Sequence, residues 1–235
     1  MNRRAFVKTC TVGAGLLAGG SGRVFPSGAS TRHYHRVRLL DDRGQPLRME
    51  EIHEGVQYVF PYPYAATPCF LLNLGRPVPG QNGLTTESGE RYDWPGGSGP
   101  ARSVVAYSAI CAHKMAHPAR GISYISFREP RNGEDPVTGV ISCCAENSRY
   151  DPFSGGTVLS GPAPQPLAAI LLDHDTAHDE LHAVGTLGGE MFQRFFTEFE
   201  ARLSIEYPNR DVRIPLSDEV VVQRLEDFSA NVVLC

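Results

Sequence analysis

The chain has 235 residues, 41% of them apolar, and carries 22 Lys and Arg against 26 Asp and Glu for a formal net charge of −4. That is enough apolar chain to bury a full core in one domain or one and a half, and too balanced a composition for a disordered or solvating segment. An acidic balance also disfavours a nucleic-acid partner.

The chain opens on Asn2-Arg3-Arg4-Ala5-Phe6-Val7-Lys8, a twin arginine ahead of an aromatic and an aliphatic, followed by a mildly apolar, Gly-rich run from Thr9 to Gly20. The run is too short and too weakly hydrophobic for a stable transmembrane helix, so residues 1–29 read as a twin-arginine export signal. Ser27 and Ala29 are small enough to serve a cleavage site after Ala29. The expected location is the periplasm, with membrane contact only through the N-terminus if it is retained. Without residues 1–29 there remain 18 basic against 26 acidic residues, a net of about −8. The basic stretch Arg32-His33-Tyr34-His35-Arg36-Val37-Arg38 reads as a solvated edge strand or linker, with a docking site for an acidic partner or lipid headgroups as the alternative.

Residues 50–75 suggest short strands broken by prolines: Val56 to Phe60, the run Pro61-Tyr62-Pro63-Tyr64, then Cys69 to Leu74. From Gly75 to Pro100 the glycines Gly80, Gly83, Gly89, Gly96, Gly97 and Gly99 predict a surface loop. No phosphate-binding pattern appears among them. Val104 to Ile110 is a buried-strand pattern. The polar insert Phe127 to Thr138 predicts an exposed hairpin or loop. Leu167 to Leu172 and Leu181 to Val184 flank a polar turn and predict a hairpin. His174, His178 and His182 would form a metal stripe only on a helix, which those flanks argue against. Glu190 to Leu203 predicts one amphipathic helix with a stripe of Phe192, Phe195, Phe196 and Phe199. Asp211 to Cys235 alternates like a strand.

The chemistry concentrates between Cys111 and Pro164. Cys111-Ala-His113 converges on one point from a tight loop, Cys143-Cys144-Ala-Glu146-Asn147-Ser148-Arg149-Tyr150-Asp151 offers two further thiols, and Gly161-Pro162-Ala163-Pro164 adds a rigid segment. In this order the stretch resembles the cluster-binding half of the Rieske iron–sulfur family. Cys111 and His113 match its C-x-H, Ser148-Arg149-Tyr150-Asp151 its S-x-Y-D, and Gly161 to Pro164 its proline loop.

The resemblance implies a mainly β fold. It would be a Rieske-type antiparallel β-sandwich over 30–187 with a small cluster-binding subdomain at about 104–166, followed by a C-terminal helix and strand extension over 188–235. The implied cofactor is a [2Fe–2S] cluster, with Ser148 and Tyr150 as hydrogen-bond donors and Gly161 and Pro162 covering it. No histidine stands at the last ligand position. Deleting one residue before Ser148 pairs Cys144 with Asn147, the preferred register, because Asn keeps the size and polarity of His. Counting back from Tyr150 without a gap gives Cys143 with Glu146, and this register stays open. His117 is a third candidate for the missing ligand. Where many family members carry a disulfide between the loops, this chain has Ala116 and Ala145. Cys69 and Cys235 could pair in an oxidising compartment.

The function implied is one-electron transfer, as a carrier or as the small subunit of an oxidoreductase. The partner would be a redox protein of a quinone or cytochrome chain, or a larger oxidoreductase subunit. The chain has no room for the mononuclear-iron domain of the family's oxygenases. Other readings are a mononuclear zinc site on Cys111, His113 and Cys143 or Cys144, and a degenerate module without a cluster. A cysteine nucleophile built on Cys111 and His117 ranks last.

Overall fold

The computed structural model of the chain describes residues 30–128 and 139–235; the export signal expected over 1–29 and most of the insert expected from Phe127 to Thr138 lie outside them. The fold is mainly β. In chain order come β1 (Thr31–Leu40), β2 (Gln57–Pro61), β3 (Pro68–Asn73), the paired β4 (Gln81–Thr85) and β5 (Arg91–Trp94), and β6 (Val104–Ser108). Then follow β7 (Ile125–Arg128), β8 (Val140–Cys143), β9 (Ser148–Asp151), β10 (Thr157–Ser160) and the hairpin β11 (Ala169–Asp175) with β12 (Glu180–Leu187). Helices α1 (Phe192–Glu198) and α2 (Glu200–Glu206) precede β13 (Glu219–Val221), β14 (Gln223–Arg224) and the single turn α3 (Leu225–Phe228).

Eight strands form one sheet in the order β13-β1-β12-β11-β6-β3-β2-β14, antiparallel except where β1 meets β13. Only Val222 separates the strands at its two edges, and Val222 N–H donates to Leu40 O at 2.8 Å, so the sheet rolls until its edges meet. That closure leaves few unpaired edge groups. Neighbouring residues of one strand then serve two cores. Cys69 and Leu71, Val104 and Ala106, and Ile170 and Leu172 belong to one buried cluster; Phe70 and Leu72, Val105 and Tyr107, and Ala169 and Leu171 belong to the other. Burial on both faces is why these strands read as continuous apolar runs instead of alternating ones. The second cluster continues into Ile125, Ile141 and Tyr150 of the four-stranded antiparallel sheet β10-β9-β8-β7, which carries the candidate site against the larger sheet.

Two sequence expectations change. The segment from Gly75 to Pro100 is not simply a surface loop: β4 and β5 pair there and bury Leu84, Tyr92 and Trp94 in the second core. The predicted helix over Glu190 to Leu203 is two helices that share Phe199 as a cap, with φ −104° and ψ 15°. Phe199 N–H still donates to Phe195 O and Leu203 N–H to Phe199 O, so the element bends without losing its bonding ladder. Its Phe192, Phe195 and Phe196 rings are buried, each worth about 1.5–3 kcal/mol, and pin it to the domain.

The basic stretch of β1 pairs with β12 along its length, and β13 covers only Arg38–Leu40. Its charges are spent on neighbours: Arg32 on Glu190, Arg36 on Asp173, and Arg38 on Glu180 and Glu219. The three histidines of the hairpin do not converge. His174 meets Asp179, His178 meets Asp175, and His182 Nδ1 lies 3.0 Å from Arg36. Among the described residues no helix is long and apolar enough to cross a membrane.

Candidate metal centre

Two loops build the site. The first leaves β6, whose five residues are all buried, and delivers Cys111 at the base of a tight turn. Cys111 N–H donates to Ala116 O at 2.9 Å and Met115 N–H to Cys111 O at 3.0 Å, with Met115 at φ 55°. These bonds fix the loop's backbone so that Cys111 points inward while His113 stands at the half-exposed tip. The second loop is the turn between β8 and β9. Cys143, last residue of β8, is buried, Glu146 N–H donates to Cys143 O at 3.3 Å, and Asn147 takes the left-handed conformation at φ 55° that closes the hairpin. Gly161 locks this loop from behind. At φ +93° a side chain there would press on Asn147 O and come within 2.6 Å of Ser148 Cα.

The loops bring two pairs of donors together. Cys111 and Cys143 are free, buried and within hydrogen-bonding reach of each other. The bond from Cys143 lowers the Cys111 thiol below its usual range, helped by the Tyr150 hydroxyl and against the effect of burial. The same contact holds the proton on Cys143, whose thiol is raised. Tyr150 Oη lies 3.2 Å from Cys111 Sγ and accepts from Ala112 N–H at 3.1 Å. Burial raises its pKa, which keeps it a hydroxyl donor beside sulfur. At the rim, His113 Nδ1 lies 3.6 Å from Glu146 Oε2, and Lys114 Nζ lies 3.4 Å from Glu146 Oε1.

This arrangement corrects the preferred ligand register. Cys144 is bonded to Cys235, with Cα atoms 5.6 Å apart, so its sulfur is not a thiolate donor. Asn147 is exposed on the turn. The ungapped pair, Cys143 and Glu146, is what the fold sets beside Cys111 and His113. The expected Cys69–Cys235 pairing is also replaced: Cys69 is a buried free thiol that donates to Tyr62 O at 3.0 Å. His117 does not join the site. Its ring sits edge-on to Phe195 and Phe199, both at 4.8 Å, and its Nδ1 lies 2.8 Å from Met115 O. Sequence reasoning overlooked Lys114 as a partner of Glu146. It also overlooked the disulfide, for which neither cysteine's spacing gives a signal.

Among the described residues the buried Ser148 Oγ has no hydrogen-bond partner, and His113 Nδ1 has only the 3.6 Å approach of Glu146. A hydroxyl on a fully buried residue left without a bond costs about 1–3 kcal/mol, which a group bound between the loops would offset by accepting from it. The donors also suit an iron–sulfur group: two thiols from opposite loops, an imidazole and a carboxylate. They form two pairs, and among the described residues no three His, Cys, Asp or Glu side chains gather round a single centre.

No protein-family model matches the chain. Among solved structures, the chain is similar to the soluble domain of the Rieske protein II (soxF) from Sulfolobus acidocaldarius. The two are 25% identical, the match covers 67% of this chain and 82% of that one, and the TM-score is 0.48.

Proposed function

We propose that this chain is a Rieske-type one-electron-transfer protein. Its [2Fe–2S] cluster would be held by Cys111 and Cys143 on one iron and by His113 and Glu146 on the other. The observation that carries the reading is the buried Ser148 Oγ, without a partner among the described residues, on the residue that pairs directly with Cys143 across β8 and β9. When bound, such a cluster takes up and releases a single electron. The residues of this chain set how readily. Tyr150 donates to the Cys111 sulfur and Ser148 has a hydroxyl free to donate beside it, and both bonds disperse negative charge and raise the potential. Glu146 acts in the opposite sense, because an anionic oxygen in place of an imidazole disfavours the reduced, more negative state. Lys114 partly offsets it by pairing with the same carboxylate. His113 and Glu146 stand at the half-exposed tip, where a partner can approach. The protein would act as a carrier or as the small subunit of a larger oxidoreductase, with a quinone or cytochrome chain as the redox partner. We place it in the periplasm, delivered by the twin-arginine signal. A disulfide at Cys144 and Cys235 is compatible with that oxidising compartment.

A second reading has one observation in its favour: Glu146 already bridges Lys114 and His113, an ion cluster that could close the loops without iron. The test is iron and acid-labile sulfide per chain in protein purified without oxygen, with an EPR spectrum after dithionite reduction. Two irons, two sulfides and a Rieske-like rhombic signal are expected. A folded chain with neither iron nor sulfide overturns the electron-transfer reading in favour of a degenerate module. Zinc without sulfide overturns it in favour of a mononuclear site.

A further inference from the structure

A cleft of about 650 Å³ opens where α2, the loop at 117–120 and the β2 and β13 edges of the large sheet meet. Its size falls in the range of small-molecule sites, which are apolar with a few convergent polar groups. The floor is apolar, with Phe60, Ala66, Leu216 and Val220 in its lining. One end is different: Arg120, Arg202 and Arg210 all line it around Tyr207. Burial raises the Tyr207 phenol and Glu206 adds to that, while Arg120, Arg210 and Arg202 each pull it the other way.

The acids in the lining are already engaged. Glu206 pairs with Arg202 at 2.7 Å, and Glu219 with Arg38 at 3.3 Å. Arg120 lies over the Phe228 ring, 4.6 Å from its centre, an arrangement that holds the guanidinium plane while leaving its N–H edge to a ligand. Among the described residues neither Arg120 nor Arg210 meets a carboxylate. The cleft therefore combines an apolar body with a positive end.

We infer that this cleft binds a small amphipathic monoanion, a carboxylate on an apolar chain or ring, with its charge between Arg120, Arg202 and Arg210 and its body over Phe60, Ala66, Leu216 and Val220. Guanidinium forks match carboxylate geometry, and a charge-assisted bond is about twice as strong as a neutral one. The site is separate from the thiol pair and does not depend on iron.

The test is calorimetric titration of the full chain with sodium decanoate below its micellar concentration, with decanol as the uncharged analogue. Saturable binding of one decanoate per chain is expected, with decanol at least about tenfold weaker. The double change Arg120→Glu and Arg210→Glu replaces exposed side chains and should weaken decanoate at least about tenfold with the melting temperature unchanged. Ala65→Phe, at the partly exposed rim, should weaken decanoate and decanol alike. Absence of saturable binding, equal affinity for decanol, or indifference to the arginine reversal overturns the inference. Co-sedimentation with phosphatidylglycerol vesicles without binding of free decanoate overturns it in favour of a membrane headgroup.

Discussion

Cys235→Ser removes the bond that ties the last residue of the chain to the second loop of the site. The partners are 91 residues apart in sequence, and closing a loop of that length in the unfolded chain removes entropy worth about 4.6 kcal/mol at 25 °C in the chain-entropy treatment. Measured disulfides usually give about 2–4 kcal/mol, so a loss near the upper part of that range is expected. For a domain of about 200 residues this lowers the melting temperature by roughly 8–16 °C. The tail should stay seated, because Ser123 N–H donates to Asn231 O, Val233 N–H to Ser123 O and Ala230 N–H to Arg120 O whether or not the sulfurs are joined. The assay is calorimetry on the parent, Cys235→Ser, Cys144→Ser and the double variant, with and without reductant. All three variants and the reduced parent should melt together, since they lose the same single bond. Thiol titration of the denatured, unreduced protein without residues 1–29 should give three thiols, Cys69, Cys111 and Cys143. Five thiols with no change in melting would refute the reasoning, as would a Cys69→Ser variant that behaves like Cys235→Ser.

Four further outcomes are expected. Ser148→Ala should leave the iron-free protein as stable or more stable by about 1 kcal/mol, yet lower the reduction potential of iron-loaded protein, because the hydroxyl has no protein partner to lose; equal destabilisation of both forms, read by urea titration, would contradict its role. Glu146→His should raise the potential in film voltammetry and add a second imidazole-like titration to its pH dependence. Gly161→Ala, at φ +93° against Asn147 and Ser148, should cost at least about 1–3 kcal/mol in urea unfolding, and an effect within experimental error would count against the close packing. Burial raises the Glu190 carboxyl despite its bonds to Thr186, Arg32 and Tyr34. Its folded pKa therefore lies above the unfolded one, and stability present at low pH is lost as pH rises through that interval. Glu190→Gln should flatten the pH dependence of urea unfolding there, and an unchanged slope would show that another group is responsible.

Much of the fold was legible because burial writes itself into composition. Val104-Val105-Ala106-Tyr107-Ser108 reads as a buried strand, and the Phe stripe of α1 reads as a face packed on the β-domain; both are found so. The apolar flanks around Asp173 to Glu180 likewise gave β11 and β12. What failed was local patterning that tertiary contacts override. In Gly75 to Pro100 the glycines outweigh three spaced apolar residues, Leu84, Tyr92 and Trp94, whose common destination is visible only once β4 and β5 pair. The break at Phe199 has no Gly or Pro to announce it. It occurs where the Phe195 and Phe199 rings both close on His117, a residue more than 75 positions away in sequence.

The register of the second loop turns on how the cysteines divide. Residue type alone favoured Asn147 over Glu146 as a replacement for histidine, and so favoured Cys144 over Cys143. The strand geometry removes that freedom. Cys143 closes β8 opposite Ile125, facing the core with Cys111, and the next residue must point the other way, toward the Tyr124 carbonyl that receives its N–H and the tail that supplies Cys235. Period-two alternation in a strand therefore sends one vicinal thiol into the core beside Cys111 and the other to the disulfide. Moving the ligand to Cys144 would require a one-residue slip of β8 against β7. Such a slip would move Ile141 and Cys143 out of the core they share with Ile125 and Tyr150, onto the face that Ser142 now occupies. With Cys143 beside Cys111 inside and Cys144 joined to Cys235 outside, the residue left beside His113 is Glu146, 3.6 Å away, and the ungapped register is the one we propose.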